Sequence, residues 1–331
     1  MLVAGRYRLT EVLGRGGMGE VWLAHDQVLD RSVAVKLLAR SLDDQAMARF
    51  TLEAQTAGRL SHPNVVSVLD FGTHEDRLFL VMERLDGRTV GDDLVEHGPF
   101  DPKRVSTIGG QVAAGLAAAH KQGVLHRDVK PANLLLAGPD RVKIGDFGIA
   151  QFIDGSGGLT VTGQLVGTSY YLAPERISSG PAVPASDVYG LGCVLYQLLA
   201  GEPPLSADTP LATLHLHLST TPEPLRKRRS TVSRSLDGLV MAMLAKDPGE
   251  RPTAKQVADV LSGSASTGFV RTLLAGSAAS ARSTIRRGPA VAAASESSDG
   301  PAPSWLRSRK LQVAVGGALV AGAAAVALGL G

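Results

Sequence analysis

Between a stretch with helical periodicity and a turn-linked pair of apolar strands lies the octet His126-Arg127-Asp128-Val129-Lys130-Pro131-Ala132-Asn133, and thirteen residues past Asn133 comes Asp146-Phe147-Gly148. Two readings are open for the segment, a polar loop between helix and hairpin or a site for a polar ligand. The residue types indicate what that ligand is. An aspartate beside a hydroxyl can orient it and accept its proton, a role suited to Asp128. Mg²⁺ takes hard oxygen ligands and few protein ones, which suits the amide oxygen of Asn133 and the carboxylate of Asp146. Lys130 adds positive charge where charge would gather on a transferred phosphoryl group. A polar loop with no ligand would not need six specified positions at these spacings.

A second phosphate-handling feature lies near the N-terminus. Leu13-Gly14-Arg15-Gly16-Gly17-Met18-Gly19-Glu20-Val21 fits G-x-G-x-x-G-x-V, in which glycines let backbone N–H groups approach phosphate oxygens. Alone the pattern is weak, and a dinucleotide site would need a helix directly after it. Here a strand follows, and Val33-Ala34-Val35-Lys36 ends 22 residues past Gly14, so Lys36 and the glycine loop read together as a phosphate clamp. Glu53, on the next helical stretch, is the expected ion-pair partner that aims Lys36 at the α- and β-phosphates.

The surrounding pattern is α+β. Apolar runs at Tyr7–Leu13, Val21–Ala24, Val33–Leu38 and Leu78–Met82 predict strands, with a helix over Asp43–Leu60 carrying Phe50, Ala54 and Ala57 on one face. From Asp101 the periodicity turns helical. Asp101 and Pro102 open a helix with Val105, Ile108, Val112 and Leu116 on one face. Leu134–Leu136 and Val142–Ile144 form a hairpin around Gly138-Pro139-Asp140. A buried helix runs from about Asp187 to Ala200, capped by Ser186 and stopped by Gly201. Thr253 and Gln256 form a capping box before the last helix. Cys193, the chain's one cysteine, excludes a disulfide framework and reads as a core residue.

At this point the sequence resembles the eukaryotic-like serine/threonine protein kinases, in their bacterial receptor-type branch. The resemblance covers Tyr7 to Leu261. It rests on the ordered set Gly14/Gly16/Gly19, Val-Ala-Val-Lys36, Glu53, His-Arg-Asp128…Asn133, Asp146-Phe-Gly, Ala173-Pro174-Glu175, Asp187 and Arg251. It implies a two-lobed fold over 1–261: a β-rich N-lobe over 1–82, a hinge at about 83–86 and a helical C-lobe over 87–261. It implies transfer of the ATP γ-phosphoryl group to protein Ser/Thr hydroxyls, with ATP and Mg²⁺ (or Mn²⁺) as cofactors. ATP would contact Leu13 through Val21, Lys36 and Glu53, with the base against the backbones of Glu83 and Leu85 and Met82 as gatekeeper. Asp128 and Lys130 would be catalytic, and Asn133 and Asp146 would hold metal. Asp187 would brace the catalytic loop and Arg251 would pair with Glu175. Thr160 and Thr162 align with autophosphorylated threonines of the segment Asp146–Glu175, and Arg127 could bind their phosphate. Gln151 stands where many relatives carry Arg. The alternative from another class is a membrane-tethered pseudokinase scaffold, against which the intact catalytic set argues.

The C-terminal stretch differs in kind. Residues 262–310 are rich in Ser, Ala, Gly, Pro and Arg, with seven basic and two acidic residues, and read as a flexible basic juxtamembrane linker. The first 261 residues hold 27 basic and 29 acidic residues, so the pI of 9.1 belongs to the tail, and no nucleic-acid partner is expected for the folded part. Leu311–Gly331 is 21 residues without a charge, flanked by Trp305, Arg307, Arg309 and Lys310. It predicts a single transmembrane helix in the cell membrane with the kinase domain in the cytoplasm. Gly317, Ala321 and Ala325 line a small-residue face suited to a homodimer. Arg226-Lys227-Arg228-Arg229 reads as a solvated loop, with docking of acidic substrates as the alternative. His215 and His217 read as surface or packing residues.

Overall fold

A computed structural model of the chain describes residues 1–16, 19–38, 44–147 and 169–265. All belong to one compact unit. The N-terminal part is a six-stranded antiparallel sheet in the order β1-β2-β3-β4-β6-β5. Its strands are β1 (Leu2–Val3), β2 (Tyr7–Gly16), β3 (Gly19–Asp26), β4 (Arg31–Leu38), β5 (Val68–His74) and β6 (Arg77–Glu83), with helix α1 (Asp44–Gly58) inserted between β4 and β5.

Strand alternation divides this sheet into two cores. Val33, Val35 and Leu37 of β4 join Phe79 and Val81 of β6 on the outer face. Ala34 and Leu38, with Leu78, Leu80 and Met82, pack under Phe50, Ala54 and Ala57 of α1. Lys36 falls between Ala34 and Leu38 in this alternation and therefore shares the α1 face. The sheet thereby aims one cation at the space between itself and the rest of the chain.

The C-terminal part is helical. It contains α2 (Val90–His97), α3 (Pro102–Lys121), the hairpin β7 (Leu134–Gly138) and β8 (Arg141–Ile144), then α4 (Pro174–Ile177), α5 (Pro184–Ala200), α6 (Pro210–Ser219), α7 (Leu225–Arg228), α8 (Arg234–Met243) and α9 (Ala254–Leu261). Helix α5 is buried along nearly its whole length, because Val188, Leu191, Val194, Leu195 and Leu198 leave no polar face, and α3, α8 and α9 pack around it. Asp101 caps α3 through the Lys103 N–H at 2.8 Å, as its sequence suggests. Gly201 ends α5 in the left-handed region, φ +89°.

Two expectations change, and for His217 the packing reading holds. Helix α5 starts one turn before Asp187, at Pro184. Ser186 is therefore not its cap, and its hydroxyl instead accepts from the Val183 N–H and donates to Glu175 at 2.6 Å. His217 lies wholly inside the core of α6, facing Tyr189. Half of the basic run is structural: Arg228 pairs with Glu202 and Glu223, and Arg229 donates to the carbonyls of Phe100 and Leu199.

Backbone bonds stitch the two parts together. Val66 donates to Ile144 O and Ile144 to Asn64 O, both at 2.9 Å, and Leu136 donates to Arg88 O. The linker after β6 is held as well, since the Glu83 carboxylate accepts from Lys143 at 2.6 Å and from the Ser67 N–H at 2.8 Å. Among the described residues no helix is long and apolar enough to cross a membrane, and the expected span Leu311–Gly331 lies outside them.

Candidate active site

The site lies where the glycine hairpin, α1 and the β7–β8 hairpin meet. β2 and β3 pair through Gly14↔Val21, Arg15↔Glu20 and Gly16↔Gly19, while Gly17 and Met18 lie outside the described residues. Gly19 has to be glycine: its φ is +133°, and a Cβ there would sit 2.0 Å from Leu37 O. At Gly14 and Gly16 a Cβ would meet nothing within 4 Å among the described residues, so packing does not demand glycine there. Leu13 is half exposed on this hairpin, Arg15 and Glu20 pair on its rim at 3.1 Å, and Val21 and Leu85 pack against the α1-side core.

Beneath it, the polar octet is held by one buried carboxylate. Asp187, on the first turn of α5, accepts from the backbone N–H of His126 at 2.9 Å, from that of Arg127 at 2.7 Å and from His120 Nε2 at 2.8 Å. Burial would push this carboxyl up. The bond from His120 and its positive neighbours outweigh burial and hold it below the usual carboxylate range. These bonds stabilise Arg127 at φ +68°, a backbone conformation costly outside glycine. The buried His126 side chain then contacts Gly145 O at 2.9 Å and accepts from the Asp128 N–H at 3.2 Å, linking the octet to the segment that carries Asp146.

A run of contacts joins the polar side chains of the site. Lys130 Nζ lies 2.7 Å from Asp128 Oδ2, and Asn133 Nδ2 donates to Asp128 O at 2.8 Å and to the same Oδ2 at 3.1 Å. Gly145 N–H donates to Asn133 O at 2.9 Å, and Asp146, next in the chain at φ +52°, accepts from Lys36 Nζ at 2.8 Å. Among the described residues, Asp128 Oδ1 and the Asn133 amide oxygen receive no hydrogen bond.

The expected Lys36–Glu53 pair is not formed. Lys36 is bound to Asp146, and Glu53, 29% exposed on α1, faces Arg127 at 3.7 Å. Burial raises the Glu53 carboxyl despite Arg127, and burial lowers the Arg127 guanidinium despite Glu53. Farther out, Arg251 forms a two-pronged pair with Glu175 at 2.8 Å on each prong, as its sequence position suggests.

With these contacts in place, comparison with known proteins decides the family. The family model described as "Protein kinase domain" matches residues 7–260. The chain belongs to the protein kinase family. It is 42% identical over 256 residues to the serine/threonine-protein kinase PknB of Mycobacterium tuberculosis H37Rv, an alignment covering 75% of this chain and 41% of that protein. The probable serine/threonine-protein kinase CE0033 of Corynebacterium efficiens is 40% identical over 269 residues, covering 78% and 41%. The Mycobacterium leprae PknB is 41% identical over 255 residues. The match therefore spans about two fifths of the length of these relatives.

Within this kinase domain, Lys36, Asp128, Lys130, Asn133 and Asp146 converge, Glu53 borders them, Glu83 ends β6 and Leu85 lies on the linker that follows it. Thr160 and Thr162 fall outside the described residues. Sequence reasoning missed the Lys143–Glu83 tie and the role of His120. Neither residue belongs to a motif, and only their spatial neighbours reveal them.

Proposed function

We propose that the chain is an ATP- and Mg²⁺-dependent serine/threonine protein kinase. The observation that carries this reading is the run of contacts from Lys36 to Asp146, through the Gly145 backbone to Asn133, and on to Asp128 and Lys130, in a chain whose glycine hairpin has no packing demand for glycine at Gly14 and Gly16. Asp128 turns Oδ1 to the acceptor hydroxyl, orienting it and receiving its proton, while Lys130 and Asn133 hold Oδ2 in place. Asn133 through its amide oxygen and Asp146 through Oδ2 would hold the metal, and both atoms lack partners among the described residues, which fits a hard cation. Bound there, the ion supplies charge neutralisation on the phosphates. Lys36 would bind phosphate oxygens, and the backbones of Glu83 and Leu85 would receive the base.

The pairing of Lys36 with Asp146 and of Glu53 with Arg127 supports a resting arrangement. Phosphate on Thr160 or Thr162 would draw Arg127 from Glu53 and free Glu53 to steady Lys36. The domain is read as 1–261, followed by the basic linker over 262–310 and a membrane-spanning helix over 311–331 that anchors it with the kinase on the cytoplasmic side.

The test is labelling from radioactive ATP. Asp128→Asn and Lys36→Met should each reduce autophosphorylation by about 10²-fold or more, the scale of losing one acid–base or electrostatic group. Labelling near the wild-type level by either variant would reject the assignment.

A further inference from the structure

The two faces of the β7–β8 hairpin have different neighbours. Leu134, Leu136, Val142 and Ile144 are buried in the core of the helical part. Strand alternation turns Leu135 and its cross-strand partner Lys143 the other way, toward the sheet. Leu135 packs there against the α1-side core, as does Leu85 of the linker after β6. Lys143 Nζ donates to Oε1 of Glu83, the last residue of β6, at 2.6 Å, and the two side chains are only 16% and 26% exposed. Among the described residues Glu83 is the one carboxylate that Lys143 meets.

A pair drawn this far out of water adds little net stability, so what distinguishes it is the geometry it enforces. The same Oε1 accepts from the Ser67 N–H at 2.8 Å, and the Glu83 N–H donates to Ser67 O at 3.0 Å. Glu83 is thus held through its backbone by Ser67 and through its side chain by β8 as well. Farther along, the Leu136 N–H donates to Arg88 O at 2.9 Å, and a Cβ on Gly87 would lie 2.0 Å from Leu136 O. The hairpin therefore grips the linker at both ends, through Lys143 at Glu83 and through Leu136 at Gly87 and Arg88, with Leu85 between.

The same hairpin carries the groups proposed to hold metal. Asn133 directly precedes β7, Asp146 lies two residues past β8, and the Gly145 N–H joins the two ends by donating to Asn133 O at 2.9 Å. One small two-stranded element is the common support of the segment that would take the base and of the residues that would take the metal.

We propose that Lys143 is a positioning residue for ATP, fixing through Glu83 the spacing between the base-receiving linker and the metal-holding residues Asn133 and Asp146. The proposal rests on the nucleotide reading given above and adds a residue which that reading does not use. A nucleoside triphosphate spans both halves of the site at once, so its binding depends on their separation as well as on each half. Lys143 acts on the nucleotide only through Glu83.

The test uses the full-length chain as wild type, Lys143→Met, Lys143→Arg and Lys143→Met/Glu83→Gln. Initial rates of autophosphorylation at varied ATP give KM and kcat, and calorimetry gives Tm. Inhibition by adenosine probes the base half alone, and inhibition by magnesium tripolyphosphate probes the metal half alone. Lys143→Met should raise KM for ATP about tenfold with kcat within about twofold, since a displacement on the order of 1 Å costs up to about 10²-fold. Both half-site inhibitors should act on it as on the wild type. Lys143→Arg keeps a cation on Glu83 and should recover most of the loss. Lys143→Met leaves the Glu83 carboxylate without its cation, which lowers Tm; the double variant removes that charge, keeps the backbone at 83, and should restore Tm but not KM. Recovery of KM together with Tm would overturn the proposal, because the tie would then serve stability alone. An unchanged KM in Lys143→Met would overturn it as well, and so would adenosine weakened as much as ATP, which confines the effect to the base half. Each of these leaves the nucleotide reading intact, whereas a wild type that transfers nothing from ATP would overturn both.

Discussion

Every N–H of the Arg251 guanidinium is engaged: two on Glu175 and one each on the carbonyls of Ala245, Ala185 and Lys246. The side chain is fully buried, with its plane 4.8 Å from the Tyr189 ring centre. Removing it leaves the Glu175 carboxylate without its cation, with only the Ser186 hydroxyl to answer it. Arg251→Ala should therefore cost about 3–5 kcal/mol, a fall in Tm of about 10 °C by calorimetry, and Arg251→Lys should recover little because it cannot fork. His217 makes a second residue-scale prediction. Its ring is buried against Tyr189, its Nε2 lacks a partner, and Lys246 holds its carbonyl at 2.7 Å. Burial first, and then the Lys246 charge, lower its pKa to about 4. The unfolded chain binds the proton more readily, so stability is full above about pH 6.5 and falls as pH drops toward 4, by about 3 kcal/mol in all. His217→Gln, neutral throughout, should flatten Tm against pH in that window. A slope equal to wild type would show that other groups dominate. The Arg251–Glu175 pair was readable from motif positions, because its partners are specified by type. The Lys36–Glu53 pair was not, because spacing places Glu53 on a helix without stating how far that helix turns toward the sheet.

At the scale of elements, periodicity located what is strongly apolar and lost what is mixed. β4, β6, α3 and α5 stand within a turn of their expected ranges. β5 went unread because Asp70 and Gly72 interrupt its alternation, and α6 because His215 and His217 disguise a helix whose Thr213, Leu214 and His217 turn inward. The glycine hairpin yields the element-scale prediction. Gly14→Ala and Gly16→Ala place a methyl where the folded protein has open space, so Tm should stay within about 1 °C. The same methyls enter the proposed phosphate space, and KM for ATP should rise about tenfold or more, the scale of a lost backbone contact. A drop in Tm with KM unchanged would mean that the hairpin serves the fold and not a nucleotide.

For the whole molecule, charge is more informative by region than in sum. The basic excess lies in 262–310, ahead of the uncharged stretch Leu311–Gly331. If that stretch anchors the protein, the intact chain should pellet with membranes, and deletion of 311–331 should move it to the supernatant with its kinase activity retained. Equal partition of both forms would remove the anchor. The two-part architecture was readable in the sequence because strand-like and helix-like periodicities change over at about residue 83. How the parts are joined was not, since the ties run through backbone carbonyls and through Lys143 on Glu83, which no composition signals.

Asp187 is anchored in the buried helix α5, and it receives the two amides that precede Asp128. Asp128, the proposed proton acceptor, is therefore positioned from a fixed point deep in the interior rather than from the loop that bears it. Warming that loosens the packing around this helix should degrade turnover several degrees before bulk spectroscopic signals report melting, making catalysis the more sensitive thermometer of the core.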